Sequence, residues 1–205
     1  MFTVGLQSDI DCAKIAKKVL EEEPKIIKEF PPLQGDGSIG DAGTGLGDES
    51  LTARFYWYNV LDWPETECIK DWIYKGYEKF SGGRADKLFV KCWANVMRKG
   101  EQVLPHTHSP YMIDPQELMS GNLTIQTDGS TTTNYTNYGR IPECIRNVEG
   151  VMHFFNSGTE HWTSRYEGEG ERITIAFDLM SEPYYEEFAV PEVRDKIVAI
   201  NGSKE

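Results

Sequence analysis

The sequence lacks the patterns that mark membrane, secreted and nucleic-acid-binding proteins. None of its 205 residues belongs to a run of about eighteen uncharged apolar side chains, and its first residues lack the basic start and apolar core of a signal peptide. Basic residues are outnumbered, with 21 Lys and Arg against 33 Asp and Glu, and the resulting net charge of −12 opposes binding to phosphate backbones and anionic bilayers. We therefore predict a cytoplasmic protein with no membrane partner and a charge that disfavours nucleic acid.

Cysteine is also scarce. The four cysteines are scattered without a CxxC spacing, which argues against a thiolate zinc site and against a disulfide framework; they are Cys12, Cys68, Cys92 and Cys144. Hydrophobic residues make up 39% of the chain, enough to build the core of one globular domain. We predict that residues 1–205 form a single domain.

The first 87 residues are expected to support that core with helices. Apolar residues repeat with helical spacing over 9–22, with Asp9 or Asp11 as the N-cap, and again over 64–82. The aromatic run 53–60 is typical of a strand. Residues 34–50 contain six glycines and predict a loop.

From Leu88 onward the chain consists of short β-branched and aromatic runs separated by Gly, Pro, Asn and Asp. Such a succession is typical of antiparallel sheets in a sandwich or barrel. We predict a mainly β fold in which residues 88–181 form the barrel and the N-terminal helices pack on one face. Residues 182–205 form a tail, with a short helix expected near 190–198.

Three of the four histidines form the pattern with the clearest chemistry. His106 and His108 are separated by one residue in a segment that reads as extended, which places both imidazoles on one face less than ~7 Å apart. His161 lies in a turn that is expected to follow the strand 151–156. Three imidazoles from these two places would form one face of a metal site and leave the opposite positions open. The alternative is a pair of surface imidazoles.

A cation follows eleven residues after His161. Alternation in the strand that begins at Arg172 places Arg172 and Thr174 on one face and Ile173 and its alternate neighbours on the other. A buried guanidinium requires an anion, and Asp178 is the only near acidic side chain on that face. A ligand carboxylate would satisfy it. The alternatives are a structural carboxylate or an exposed strand end.

The spacing of these residues resembles two known motifs. Gly100, His106, His108 and Gly121, and then Gly150, Asn156, Gly158 and His161, are similar to the paired motifs of the cupin and double-stranded β-helix superfamily, with Asn156 in place of the usual proline. Together with RxT after the last histidine, the pattern resembles the non-haem Fe(II)/2-oxoglutarate-dependent oxygenases over roughly residues 88–181. WANVMRKGEQVLPHTH and ERITIAFD look most like a small phage-encoded branch of unassigned hydroxylases.

The resemblance implies a double-stranded β-helix, or jelly-roll, fold and an enzyme. Fe(II) would be held by His106, His108 and His161, and Arg172 and Thr174 would grip the remote carboxylate of the cosubstrate 2-oxoglutarate. The implied reaction uses dioxygen, converts 2-oxoglutarate to succinate by oxidative decarboxylation, and hydroxylates a substrate that the sequence does not identify. The oligomeric state is likewise not indicated.

One position departs from the family pattern. The usual motif is His-x-Asp or His-x-Glu, so either His108 is the third ligand or a carboxylate comes from elsewhere, with Asp114 and Glu117 as the near candidates. Position-by-position transfer favours His108.

Further polar residues on neighbouring strands are either contacts of the cosubstrate or ordinary barrel lining; they are Asn95 and Asn122, with Trp93, Thr124 and Gln126. His153 is expected to be a packed strand residue rather than a ligand. Two other functions stay open at this point. One is a cupin-type metalloenzyme that does not use 2-oxoglutarate, such as a dioxygenase, lyase or isomerase. The other is a non-catalytic β-barrel binding module.

Overall fold

The computed structural model describes residues 3–33, 44–136 and 140–202. Helices and strands alternate in the first half, and strands dominate the second. In chain order the elements are β1 (Thr3–Gln7), α1 (Cys12–Glu29), α2 (Glu67–Ser81), β2 (Lys87–Met97), β3 (Leu118–Gln126), β4 (Thr132–Thr136), β5 (Glu143–Arg146), β6 (Val151–Asn156), β7 (Glu160–Thr163), β8 (Arg172–Ser181), α3 (Glu182–Phe188) and β9 (Val198–Asn201).

The strands form two antiparallel sheets. The larger has the order β1-β6-β3-β8-β2-β9 and the smaller β5-β4-β7. Side chains from both sheets line one shared cavity, so the sheets face each other. This arrangement confirms the predicted mainly β class. The edge strands β1 and β9 come from outside 88–181. The division of the chain into 1–87, 88–181 and 182–205 stays a prediction.

The helices cover the outer face of the larger sheet. On β8 the residues Ile173, Ile175 and Phe177 alternate away from the cavity and join the main hydrophobic core, to which α1 and α2 also contribute. Gly76 of α2 permits the closest approach, since a Cβ there would lie 1.8 Å from the Phe154 ring of β6. The predicted packing of N-terminal helices on one face is therefore confirmed, and it leaves the inner face of the larger sheet to the cavity.

Both predicted helices exist with shifted bounds. Asp11, one of the two expected N-caps, accepts a hydrogen bond from the backbone N–H of Lys14 and starts α1 at Cys12. The helix continues past Pro24 because proline removes a single N–H, while Ile26, two residues further on, is buried in the core. A 3₁₀ turn at Pro64–Thr66 precedes α2.

The predicted strand at 53–60 is wrong. These residues form a 3₁₀ turn and irregular backbone, with Tyr58 buried and Phe55, Tyr56 and Trp57 partly buried. Beside them the edge of β2 is satisfied by side chains instead of a neighbouring strand. The Tyr58 hydroxyl accepts from the N–H of Ala94 at 2.9 Å, and the Asn59 amide donates to the carbonyl of Val90 at 2.9 Å. Further along, β9 pairs with β2.

The tail contains the short helix expected near 190–198, as a 3₁₀ helix at Pro191–Lys196. Two further elements were not expected: α3, which ends at Phe188, and β9, which follows the 3₁₀ helix. Of the glycine-rich loop 34–50, residues 34–43 lie outside the described residues and 44–50 form turns. Within the described ranges no helix combines the length and the apolar character needed to cross a bilayer.

Candidate metal centre

The His-x-His segment is tied to β7 by its backbone. His106 and His161 exchange two hydrogen bonds, from the His106 N–H to the His161 carbonyl at 3.1 Å and in return at 3.0 Å. His106 is thus an isolated β-bridge residue rather than part of a strand, and His161 lies in β7 rather than in the preceding turn. The expectations of a strand at His106 and of a turn at His161 were both wrong. The pairing joins segments 55 residues apart, so neither segment indicates it on its own. The two segments nevertheless meet, as the metal-site hypothesis requires.

The three imidazoles converge. One ring nitrogen each of His106, His108 and His161 lies within 4.8 Å of the others, the only such cluster of potential ligands found among the described residues. The ring centroids are 4.2, 5.0 and 5.4 Å apart. Separations of this size allow one divalent transition metal to reach all three nitrogens.

Hydrogen bonds determine which ring nitrogen of His106 and of His161 is available to a metal ion. The Nδ1 of His106 bonds to the carbonyl of Leu104 at 2.9 Å, and the Nδ1 of His161 bonds to the carbonyl of Thr159 at 3.0 Å. A carbonyl only accepts, so each Nδ1 carries the proton and each Nε2 keeps its lone pair. A metal ligand needs that tautomer.

Burial keeps these rings neutral. Desolvation, aided by the neighbouring imidazole of His108, lowers the pKa of His106 to about 4. The same causes hold the pKa of His161 well below its ordinary value. Neutral imidazoles bind metal ions without first losing a proton, so the donor set suits a transition metal at neutral pH.

The third imidazole is oriented differently. The Nδ1 of His108 lies 2.6 Å from the Oδ1 of Asp178 on β8, and the Ser120 hydroxyl donates to the same oxygen at 2.6 Å. Sequence analysis had considered Asp178 only as an anion for Arg172. The expected alternative ligands stand apart from the histidines, because Asp114 and Glu117 are exposed and the Asp114 carboxylate accepts from the N–H of Gln116.

A cavity of about 380 Å³ opens at the histidines between the two sheets. Of the polar residues expected near the site, Asn95 and Asn122 line it, as does Trp93, whereas Thr124 and Gln126 are not among the lining residues. Asn95 accepts from the Thr52 hydroxyl at 2.5 Å. Asn122 donates to the Tyr135 hydroxyl at 2.9 Å, and its own Oδ1 is buried without a partner in the part of the chain that the structure describes.

Arg172 lies on the inner face of the larger sheet, as alternation predicts, and is 2% exposed. Its Nη atoms contact Met97 Sδ at 3.2 Å and the Asn147 Oδ1 at 3.1 Å, with Thr133 Oγ1 at 3.5 Å. Its Nε has no hydrogen-bond partner among the described residues. Burial lowers the pKa of Arg172 to about 10.

None of the contacts given for Arg172 within the described residues is a carboxylate, so the expected alternative of a structural carboxylate partner finds no support there. Arg172 itself does not line the cavity; it contacts Thr133, which does, so the guanidinium lies one side chain behind the cavity wall. A buried cation in this position, without a carboxylate partner among the described residues, fits an anionic ligand.

Thr174 shares the inner face of β8 with Arg172 and is buried. Its backbone pairs with Asn95 on one side and Thr124 on the other. His153 is buried outside the three-histidine cluster, in agreement with the expectation that it is a packed residue.

Sequence reasoning missed two residues that contact the site, Tyr135 and Asn147. Tyr135 is fully buried on β4, and its ring stacks at 6.0 Å on that of His161. Asn147 follows β5 and bonds to Arg172 and Thr133. Only the alternation of TTNYT, which sends Thr133 and Tyr135 to one face, could have pointed to Tyr135.

Comparison with known proteins identifies the fold of this chain. No protein-family model matches the chain, and no curated protein matches it significantly. Among solved structures, a prolyl-4-hydroxylase from Pseudomonas putida aligns over 88% of this chain and 92% of its own, with a TM-score of 0.53 and 11% identity. The epimerase SnoN, solved with Fe³⁺, alpha ketoglutarate and nogalamycin RO, aligns over 87% and 78%, with a TM-score of 0.55 and 12% identity.

A third structure, of an oxidoreductase of the 2OG-Fe(II) oxygenase family from Burkholderia pseudomallei, has 18% identity and a TM-score of 0.46. The overlap there is partial, at 57% of this chain and 58% of that one. The likeness to the hydroxylase and to SnoN is one of fold, and it confirms the predicted double-stranded β-helix.

Proposed function

We propose that this protein is an Fe(II)- and 2-oxoglutarate-dependent oxygenase. The observation that carries the proposal is Arg172, a buried guanidinium without a carboxylate partner among the described residues, which contacts Thr133 in the wall of the cavity where three imidazoles converge. A dicarboxylate that also chelates a metal would satisfy both features. Two enzymes of the same fold support this reading, since SnoN was solved with Fe³⁺ and alpha ketoglutarate and the Pseudomonas putida protein is a prolyl-4-hydroxylase.

The three histidines would hold the iron through their Nε2 atoms. When bound, iron supplies the capacity to chelate 2-oxoglutarate, to activate dioxygen and to couple oxidative decarboxylation to succinate with oxidation of a substrate C–H bond. The chain contributes three imidazole donors whose orientation is set in advance by hydrogen bonds on Nδ1. It also leaves the opposite side of the metal open to the cavity.

Arg172 would bind the remote carboxylate of 2-oxoglutarate. Its unpartnered Nε and its weak contacts to Met97 and Thr133 leave donors for two carboxylate oxygens. We assign Thr174 as a second donor to the same carboxylate, because it follows Arg172 by two residues on the same face. Asn95 and Asn122 would contact the cosubstrate from the cavity wall.

Aromatic side chains surround the metal end of the cavity. The Trp93 ring lies 5.5 Å from that of His108, and the Phe155 ring lies 4.6 Å from that of His161. Rings in these positions exclude water from the reacting groups and leave room for an apolar portion of a substrate. We propose hydroxylation as the outcome, as in the prolyl-4-hydroxylase of the same fold, whereas SnoN on that fold is an epimerase.

The test uses protein purified anaerobically and loaded with Fe(II). We expect one iron per chain, a visible absorption band when 2-oxoglutarate is added without dioxygen, and slow succinate formation when dioxygen is admitted. The variant H106A should lose iron, and R172M should keep iron but lose the band at 2-oxoglutarate concentrations that saturate the wild type.

Each alternative function has its own outcome in that experiment. Iron uptake without any response to 2-oxoglutarate would favour the cupin-type metalloenzyme. Failure to take up iron, or uptake that is unchanged in H106A, would favour the non-catalytic module and contradict the proposal.

A further inference from the structure

We infer that Asp178 is the positioning residue that lets an imidazole serve at position 108, where the family pattern has a carboxylate ligand. This inference rests on the proposed function, because it concerns how the chain holds the metal. In place of a carboxylate in direct contact with the metal, the chain has a carboxylate one hydrogen bond further out. Asp178 would orient His108 and supply the negative charge.

The first argument is the contrast among the three imidazoles. His106 and His161 each bond through Nδ1 to the backbone carbonyl two residues earlier, so the local chain orients them. His108 has no such bond, and its Nδ1 lies 2.6 Å from a side chain that is 70 residues away. Its orientation therefore depends on one replaceable residue.

The second argument is the rigidity of the support. Asp178 belongs to β8, which is flanked in the larger sheet by β3 and β2. Its Cα pairs with Ser120 on one side and with Lys91 on the other. The Ser120 hydroxyl also donates to the Oδ1 that faces His108. Asp178 is thus held in one position before any metal binds.

The third argument is charge. Lys91, the cross-strand neighbour of Asp178, directs its ammonium to the carbonyl of Tyr58 at 2.5 Å and to that of Lys196 at 3.4 Å. Among the described residues, Asp178 Oδ1 contacts His108 and Ser120, so its charge is directed at the metal site. A carboxylate that accepts from a ligating imidazole raises the basicity of that imidazole and offsets the charge of the cation.

The same arrangement explains why replacing His108 with the carboxylate residue of the family pattern would require a second substitution. A carboxylate introduced at position 108 would face the carboxylate of Asp178 with no proton between them, and two like charges at such a separation repel strongly. Converting Asp178 to an amide would remove the repulsion and supply an N–H donor. Residues 108 and 178 are therefore expected to act as a pair.

The experiment measures Co(II) affinity and the visible Co(II) spectrum of the full chain in the absence of 2-oxoglutarate, so that it does not depend on turnover. D178A should weaken Co(II) binding about 10- to 100-fold. D178N, which keeps an oxygen able to accept from Nδ1 but lacks the charge, should lie between D178A and the wild type. S120A, which keeps the Asp178 carboxylate but removes the Ser120 hydroxyl that helps to hold it, should weaken Co(II) binding less than D178A does.

Exchange at both positions gives the sharper readout. H108D alone should bind Co(II) more weakly than the wild type, and H108D/D178N should recover most of the affinity with a Co(II) spectrum that differs from that of the wild type. Circular dichroism and the urea midpoint of each metal-free variant establish that it is folded. A merely structural role for Asp178 would not produce rescue of H108D by D178N.

Two results would overturn the inference. One is Co(II) affinity in D178A within twofold of the wild type, and the other is H108D binding as well without D178N as with it. If the wild-type chain itself bound no Co(II), the proposed function would fail and the inference with it. If the wild type bound Co(II) and D178A bound it equally well, the inference alone would fail.

Discussion

Arg172 and Asp178 lie on the same face of β8, six residues and roughly 20 Å apart along the strand, yet their surroundings are opposite. The guanidinium at one end is buried, and among the described residues it contacts a thioether, an amide oxygen and a hydroxyl and leaves one N–H without a partner. The carboxylate at the other end has its partners close by, in His108 and Ser120. A buried charge without a counter-charge indicates a ligand that has yet to bind, whereas a charge with its partners in place indicates support for a neighbour.

The difference assigns separate tasks to the two ends of the strand. The Arg172 end should determine the affinity for an anionic cosubstrate and leave the metal unaffected. The Asp178 end should determine the affinity for the metal. Small Ala176 lies between them and lines the cavity.

The largest effect is expected for R172M. Loss of a buried cationic partner typically costs about 2–5 kcal/mol of binding, so the dissociation constant of 2-oxoglutarate should rise at least roughly 30-fold. The urea unfolding free energy of the metal-free protein should stay level or rise, because a buried cation without a counter-charge is replaced by an apolar side chain. Calorimetry on Co(II)-loaded protein and urea titration measure the two quantities, and unchanged 2-oxoglutarate affinity would contradict the assignment.

The effect of D178A on Co(II) binding is expected to be smaller than the effect of R172M on 2-oxoglutarate binding. D178A should raise the dissociation constant of Co(II) about 10- to 100-fold, while R172M leaves it within twofold of the wild type. Measuring Co(II) binding without 2-oxoglutarate keeps the two ends of the strand independent. A large effect of R172M on Co(II) binding alone would show that the two ends do not have separate tasks.

A pH titration tests the metal end without any substitution. The pKa values of His106 and His161 are lowered in the folded chain, so the unfolded chain binds more protons once the pH falls below about 6.5. The stability of the metal-free protein should therefore decrease as the pH falls from about 6.5 towards 4, by up to about 1.4 kcal/mol per pH unit for each histidine.

Urea unfolding in the presence of a chelator at several pH values measures this slope. Burial also lowers the pKa of His153, so H153Q should reduce the slope without abolishing it. A free energy of unfolding that does not change between pH 6.5 and 5 would contradict neutral, buried imidazoles.

The smallest effects are expected for the polar groups near Arg172. Y135F removes a buried hydroxyl that accepts from Asn122, and T174V removes a hydroxyl on the same face as Arg172. Each single hydrogen bond contributes about 0.5–1.5 kcal/mol, so the KM for 2-oxoglutarate should rise roughly 2- to 10-fold with kcat largely retained. An effect as large as that of R172M would show that the Arg172 guanidinium is not the main contact of the 2-oxoglutarate carboxylate.

The parts of the site that were predicted correctly follow from short-range periodicity. Alternation along ERITIAFD was sufficient to place Arg172 and Thr174 on the inner face, because a strand reverses its side chains at every residue. The spacing of His106, His108 and His161 indicated that they meet. It did so although the assumed backbone was wrong, since His106 forms an isolated bridge and His161 lies in β7.

The parts that were missed depend on contacts between distant segments. The pairing of His108 with Asp178 joins residues 70 positions apart, and nothing local distinguishes Asp178 from any other acidic residue in a strand. The aromatic run 53–60 has a strand-like composition but no place in the sheet, because side chains of Tyr58 and Asn59 already satisfy the adjacent edge of β2. Composition describes what a segment prefers, and the fold decides whether a neighbouring strand is available.

The exchange of backbone hydrogen bonds between His106 and His161 has a consequence for redesign. Because main-chain atoms make these hydrogen bonds, the side chains at positions 106, 108 and 161 can be replaced without breaking the pairing between the His106 segment and β7 of the smaller sheet. The chain is therefore a suitable scaffold for alternative ligand sets, in which a different metal is chosen by mutation while the surrounding architecture stays in place.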